Sequence, residues 1–273
     1  MEIKKYIIIG PARSGTTVTH LFLRGHPHVS ALNDEVKISE LFEKGISAFT
    51  FGSDLPNEKA QGPRKIYDLL ALLNADSATT AAGIKCAVAS VEKAKKFVEQ
   101  IKSSFSDVYI ILIVREDVLA QFGSILRAKK TGKFHSWIKE NNRPSSSITV
   151  DKGRYSQYLL TNIEIVETLQ SLKETNNFLE ISYEKDILTG QDYCAKLYNF
   201  LQLDPIEPAW LNSKKVAPPP NKYISNYDSI KLAEETIKEK RQPLFTLRYF
   251  LYKLLRVIYR RTSQLFPKKY AQK

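Results

Sequence analysis

Residues 7–20 read "IIIGPARSGTTVTH". The β-branched run Tyr6–Gly10 has the continuous apolar character of a strand buried on both faces, as in the centre of a parallel sheet. Gly15 to about Gly25 reads as a helix, with Val18, Leu21 and Phe22 on one face. Strand, glycine-bounded loop and helix in immediate succession predict a phosphate-binding turn. The spacing Gly10-x4-Gly15 matches the start of a nucleotide-triphosphatase loop, which continues with Lys and then Ser or Thr. Here Thr16 stands at the Lys position. That Lys contacts the outer phosphates of a triphosphate, and the hydroxyl after it holds magnesium. The other features survive: backbone N–H groups over residues 13–17, the positive helix end near Gly15, the hydroxyls of Thr16 and Thr17, and a permanent charge at Arg13. A bare strand–turn–helix connection with a solvated Arg13 is the plain alternative.

Elsewhere strands and helices alternate. Strands are predicted at 82–88 ("AGIKCAV" from residue 82 on), 107–115 ("DVYIILIVR") and 178–182 ("FLEIS"). Helices are predicted at 36–47, 65–74, 91–103, 117–131, 154–175, 183–188, 191–202 and 229–240. Residues 27–35 read as a loop, 133–153 as a mobile loop and 204–228 as ordered loop. This order predicts an α/β domain over 1–240, with a P-loop-like central parallel sheet flanked by helices on both faces. Cys86 and Cys194 have no metal or disulfide spacing, and the four histidines are scattered, so no metal site is expected.

The formal net charge is +12. Residues 241–273 hold nine basic residues and no acidic one, leaving 32 basic against 29 acidic in residues 1–240. The body is near neutral, which argues against nucleic acid as a partner. The tail reads as a basic amphipathic C-terminal helix opened by Pro243. Leu247, Phe250, Leu251, Leu254, Ile258 and Leu265 share one face; Arg248, Lys253, Arg256 and Arg260 lie opposite. That pattern suits an anionic membrane surface through residues 243–266, with docking on the domain itself or on a second copy as alternatives. With no secretory leader and no apolar run long enough to span a bilayer, the expected location is cytoplasmic, peripheral on the inner face of the membrane if the tail binds it.

A second basic signal follows the strand at 107–115. Arg115 stands at its C-terminal end, where ligands of open parallel sheets bind, and Ser124 falls on the next helix. Arg115 could instead pair with Glu116 or Asp117 on the surface. Two clamps, one per strand end, suit a nucleotide with separate 5′ and 3′ phosphates.

At these residues the chain resembles the sulfotransferases that use 3′-phosphoadenosine 5′-phosphosulfate. "GPARSGTTVTHLFLRGHPHV" (10–29) looks like their 5′-phosphosulfate loop and "VREDVLAQFGSILRAKKTGKFH" (114–135) like their 3′-phosphate motif. The latter is similar to bacterial carbohydrate sulfotransferases of the trehalose-2-sulfotransferase and nodulation-factor kind. "GIKCAV" (83–88), "ISYEKDI" (181–187) and "KKVAPPPNKYISNYDSI" (214–230) add support. The resemblance implies that Arg13, Ser14, Gly15, Thr16 and Thr17 hold the 5′-phosphosulfate, with Arg13 stabilising the departing phosphate. It implies that Arg115 and Ser124 hold the 3′-phosphate and that Lys214 and Lys215 cap it. It also implies a carbohydrate, glycolipid or polysaccharide hydroxyl as acceptor, and no metal. The cytosolic small-molecule enzymes carry Lys where Arg13 stands and an Arg-Lys-Gly loop absent here, which disfavours phenol or steroid acceptors.

The acceptor hydroxyl needs a base. Glu35 is the first candidate and Asp34 the second, with His26 and His28 as alternatives. A helix cap at Asp34, with Glu35 in the first turn, would explain the same residues without chemistry. Lys85 either lines the site or snorkels from a strand end, and Tyr183 and Glu184 are expected to cap a strand–helix junction. Two other classes stay open: a P-loop kinase-like phosphotransferase and a non-catalytic, membrane-associated nucleotide-binding protein.

Overall fold

The computed structural model describes residues 3–36, 78–104, 107–131, 147–174, 177–190, 192–206 and 219–239. Five strands form one sheet: β1 (Lys4–Pro11), β2 (Val29–Val36), β3 (Ala81–Val88), β4 (Tyr109–Val114) and β5 (Phe178–Ser182). Their order is β2-β3-β1-β4-β5, and every neighbouring pair is parallel. Helices α1 (Thr16–Arg24), α2 (Val91–Ser104), α3 (Val118–Thr131), α4 (Lys152–Gln170) and α5 (Tyr193–Leu201) connect or flank them, and α6 spans 227–239. A single π-turn, Tyr183–Ile187, follows β5.

Alternation along the central strands sends side chains to two layers. Ile7 and Ile9 of β1, with Ile110 and Leu112 of β4, pack under Phe97 and Ile101 of α2 and Ile165 and Leu169 of α4. Tyr6 and Ile8, with Ile111 and Ile113, pack against Phe22 and Leu23 of α1 and Tyr193 and Leu197 of α5. Both faces of the sheet are therefore covered by helices. This explains why β1 and β4 read as unbroken apolar runs rather than alternating ones. A third cluster joins α3, α4 and α6: Leu119, Phe122, Tyr155 and Leu159 meet Tyr223, Ile224 and Ile230. Ile148 and Ile224 form a parallel bridge there. The 133–153 and 204–228 segments thus meet at that point.

Residues 27–35 are not the expected loop. Val29–Val36 forms the edge strand β2, paired among the described residues to β3 alone, with a register shift between Ala31 and Glu35. "LNDE" is turn-rich, but an edge strand with an irregularity tolerates such residues. Asp34 and Glu35 consequently lie in a strand, not at a helix cap. The helix expected at 154–175 begins at Lys152, with Asp151 capping Arg154 N–H at 2.7 Å, and tightens to a 3-10 turn over Ser171–Glu174. The helices expected at 65–74 and in the tail, and nearly all of the one at 36–47, lie outside the described residues. Among the described residues, no helix is long and apolar enough to cross a membrane.

Candidate functional site

After β1 the chain leaves toward β2 on one side; after β4 it leaves toward β5 on the other. These neighbouring strands therefore diverge at their C-terminal ends, the position where open α/β sheets bind ligands. The glycine-bounded loop and Arg115 flank this crevice. The loop closes with Ser14 N–H donating to Pro11 O at 3.1 Å, so that amide is turned back into the loop. Arg13 takes φ 67° and Gly15 φ 114°. A left-handed arginine costs about 1–3 kcal/mol and is a feature of functional loops. Gly15 has a double reason to be glycine: a Cβ there would also come within 2.7 Å of Tyr183 Cδ2. A Cβ on Gly10 would meet the Ile113 carbonyl and stand 2.7 Å from Ser14 Oγ, so the loop starts in close contact with β4.

Helix α1 begins at Thr16 with no side-chain cap. Thr19 N–H donates to Gly15 O at 3.1 Å, leaving the first-turn amides before it outside the helical ladder. The Ser14 hydroxyl is fully buried and has no hydrogen-bond partner among the described residues. Thr17 Oγ1 accepts from Lys85 Nζ at 3.1 Å. Unladdered amides, a buried orphan hydroxyl and a lysine at the base of the helix fit an anion.

The second half of the site is built from β4 and α3. Arg115 Nη1 donates to the Arg13 carbonyl at 3.2 Å. Its Nε stands 3.4 Å from Glu184 Oε1, an ion pair without hydrogen-bond alignment. Its guanidinium carbon lies 4.5 Å from the centre of the Tyr183 ring. The surface alternative, pairing with Glu116 or Asp117, is thereby replaced. Glu116 pairs with Lys185 at 2.7 Å and Asp117 with Lys231 at 3.2 Å. Arg13 Nε donates to Ser124 Oγ at 3.1 Å. The structure thus brings Arg13, Arg115 and Ser124 together, although Ser124 touches Arg13 rather than Arg115. Burial, then the neighbouring Arg115 charge, lowers the Arg13 pKa from its usual value. Burial also raises the Tyr183 phenol, keeping it neutral beside the two cations.

Tyr183 and Glu184 do not cap the junction as expected. Ser182 does, its Oγ accepting Lys185 N–H at 3.2 Å. Glu184 instead accepts from Glu116 N–H at 2.8 Å, tying the π-turn to the segment that opens α3. Their chain distance from Arg115 hid this arrangement. Lys85 is only 6% exposed and stands within β3, not at a strand end. A lysine inside an apolar strand was its visible signal.

Glu35 pairs in register with Lys85, placing the first candidate base on the strand beside that lysine. Asp34 precedes it on β2. His26 is engaged at both ring nitrogens: Nε2 lies 2.8 Å from the Asp204 carbonyl and Nδ1 accepts from His28 N–H at 3.1 Å. His28 Nδ1 lies 2.7 Å from Ala78 O. Both histidines therefore serve the turn between α1 and β2. Lys214 and Lys215 lie outside the described residues.

A parallel sheet in 2-3-1-4-5 order, with a GxxxxG loop at its divergent strand pair, defines a P-loop-like α/β fold. No family model and no curated protein matches the chain. A solved structure shares the fold: the sulfotransferase from Alicyclobacillus acidocaldarius, 12% identical with TM-score 0.51, covering 88% of this chain and 96% of that one. The sulfotransferase domain of the Synechococcus PCC 7002 olefin synthase aligns at 17% identity and TM-score 0.48, over 86% of this chain and 94% of that one. That of the curacin biosynthetic pathway aligns at 16% and 0.49, over 88% and 91%.

Proposed function

We propose that this chain is a sulfotransferase, moving a sulfuryl group from 3′-phosphoadenosine 5′-phosphosulfate to a hydroxyl of a carbohydrate, glycolipid or polysaccharide. The convergence of Arg13 and Arg115 at the β1–β4 crevice carries this reading. Two mutually repelling guanidiniums in one buried place are best accommodated by a polyanion. Thr16 in place of the triphosphatase lysine favours a donor without a metal-bound triphosphate. The shared fold is that of a sulfotransferase.

In this reading the first-turn amides, Ser14, Thr16 and Thr17 hold the 5′-phosphosulfate. Arg13 faces the bridging oxygen as charge develops there. Arg115 and Ser124 hold the 3′-phosphate, with Lys214 and Lys215 closing over it. Lys85, through Thr17, adds a cation to the same corner. The acceptor oxygen bonds to sulfur as the bond from sulfur to the phosphate oxygen breaks, and the acceptor proton passes to Glu35, with Asp34 beside it as the second candidate. No metal takes part. The basic tail would hold the enzyme on the cytoplasmic face of a membrane, near a lipid-linked acceptor.

Arg13→Ala tests the assignment. Release of 3′,5′-adenosine bisphosphate from the donor, measured against a panel of carbohydrate acceptors, should fall about 10²- to 10³-fold. Calorimetric affinity for the bisphosphate should change by less than about tenfold. Absence of any donor turnover in the wild type, with bisphosphate binding intact, would mark a binding protein instead.

A further inference from the structure

Two carbonyls of the loop are held by side chains from neighbouring elements. Gln121 of α3 donates from Nε2 to Ala12 O at 2.7 Å. Its Oε1 accepts from Asn162 Nδ2 of α4 at 3.2 Å. Asn162 Nδ2 also lies 3.4 Å from Tyr158 OH. Gln121 is 1% exposed and Asn162 4%. The direction of this chain is fixed at one end, because a carbonyl oxygen only accepts. Gln121 must present its NH2 to Ala12, hence its oxygen to Asn162, hence Asn162 its NH2 to Gln121.

We propose that Gln121, oriented by Asn162, is a positioning residue that sets the phosphate loop in its anion-binding form. The carbonyl of Ala12 is bound by Gln121 and the next one, of Arg13, by Arg115. With both oxygens held from the β4–α3 segment, Arg13 is kept at positive φ, the Ser14 N–H closes on Pro11 O, and the amides after Ser14 stay outside the helical ladder. A buried amide pair spanning two helices carries a desolvation cost that apolar residues filling the same space would not, and its bond to the loop carbonyl offsets that cost. The binding consequence rests on the proposed donor reading; the effect on the loop does not.

The test compares wild type, Gln121→Met, and the double variant Gln121→Met with Asn162→Leu. Removing both amides leaves no unpaired amide on α4, and Tyr158 OH loses only a long 3.4 Å contact, so thermal stability should largely return in the double variant. Ala12 O stays unheld. In the ligand-free protein, amide hydrogen exchange at Ser14 should therefore speed up by about tenfold or more in both variants, with β4 exchange unchanged in the double variant. Affinity for 3′,5′-adenosine bisphosphate should fall about ten- to hundredfold in both. Wild-type exchange at Ser14 in the stable double variant would overturn the proposal, as would full recovery of bisphosphate affinity along with stability. If the wild type fails to bind the bisphosphate while exchange behaves as expected, the positioning role stands and the donor assignment falls.

Discussion

Arg13 concentrates the chemistry of this molecule in one backbone and one side chain. Its φ of 67° is a conformation non-glycine residues avoid, and its guanidinium is bonded to Ser124. The identity of the residue was legible in "GPARSGTT"; its strained backbone and its partner 111 positions away were not. Arg115 shows the same division. Its place at a strand end followed from the apolar run before it, whereas its stacking on Tyr183 and pairing with Glu184 depend on how β5 is laid beside β4. Two residue-scale outcomes follow. Arg115→Lys keeps the charge but loses the planar surface over Tyr183 and the reach to the Arg13 carbonyl. Bisphosphate affinity, read by calorimetry, should drop about tenfold or more. Gly15→Ala forces a Cβ toward Tyr183 at a positive φ. It should destabilise the fold by about 1–3 kcal/mol in urea unfolding.

At the scale of elements, β1 and β4 could be read because burial on both faces leaves an uninterrupted apolar signature, and β3 because its run is broken only by Gly83 and Lys85. Strand β2 could not. An edge strand bonds on one side only, and "LNDE" carries the composition of a turn, so its pairing to β3 is a tertiary effect that no local pattern encodes. Helix α6 shows what elements contribute to pH response. Its Glu234 is 1% exposed and accepts from Tyr155 OH at 2.7 Å, with Lys231 at 3.0 Å and Lys238 at 2.6 Å. Burial alone would raise its pKa, but these partners outweigh it and hold the carboxyl below its ordinary value. A folded-state pKa below the unfolded one stabilises above the unfolded value of about 4.3, and that contribution is lost as pH falls through the folded value. Thermal melts from pH 7 to pH 3 should show the gap between wild type and Glu234→Gln narrowing as pH drops below about 4. A gap constant with pH would mean the carboxylate's charge contributes nothing.

For the whole molecule, the division of charge matters most: a near-neutral body and a tail of nine basic residues without an acid. If the tail binds an anionic surface, vesicles containing about 30% phosphatidylserine should carry the full chain in flotation at low salt and lose it at high salt, whereas a chain ending at residue 240 should stay at the bottom in both. Equal behaviour of the two chains would point to docking on the domain or on a second copy. The central claim concerns the β1–β4 crevice and is tested most directly by thermal-shift titration of the wild-type chain with 3′,5′-adenosine bisphosphate and, separately, with ATP and magnesium. A ligand bound by the native state alone raises the melting temperature with its concentration. The bisphosphate should do so, and Arg115→Ala should weaken the response. Stabilisation by magnesium ATP without any by the bisphosphate would contradict the account.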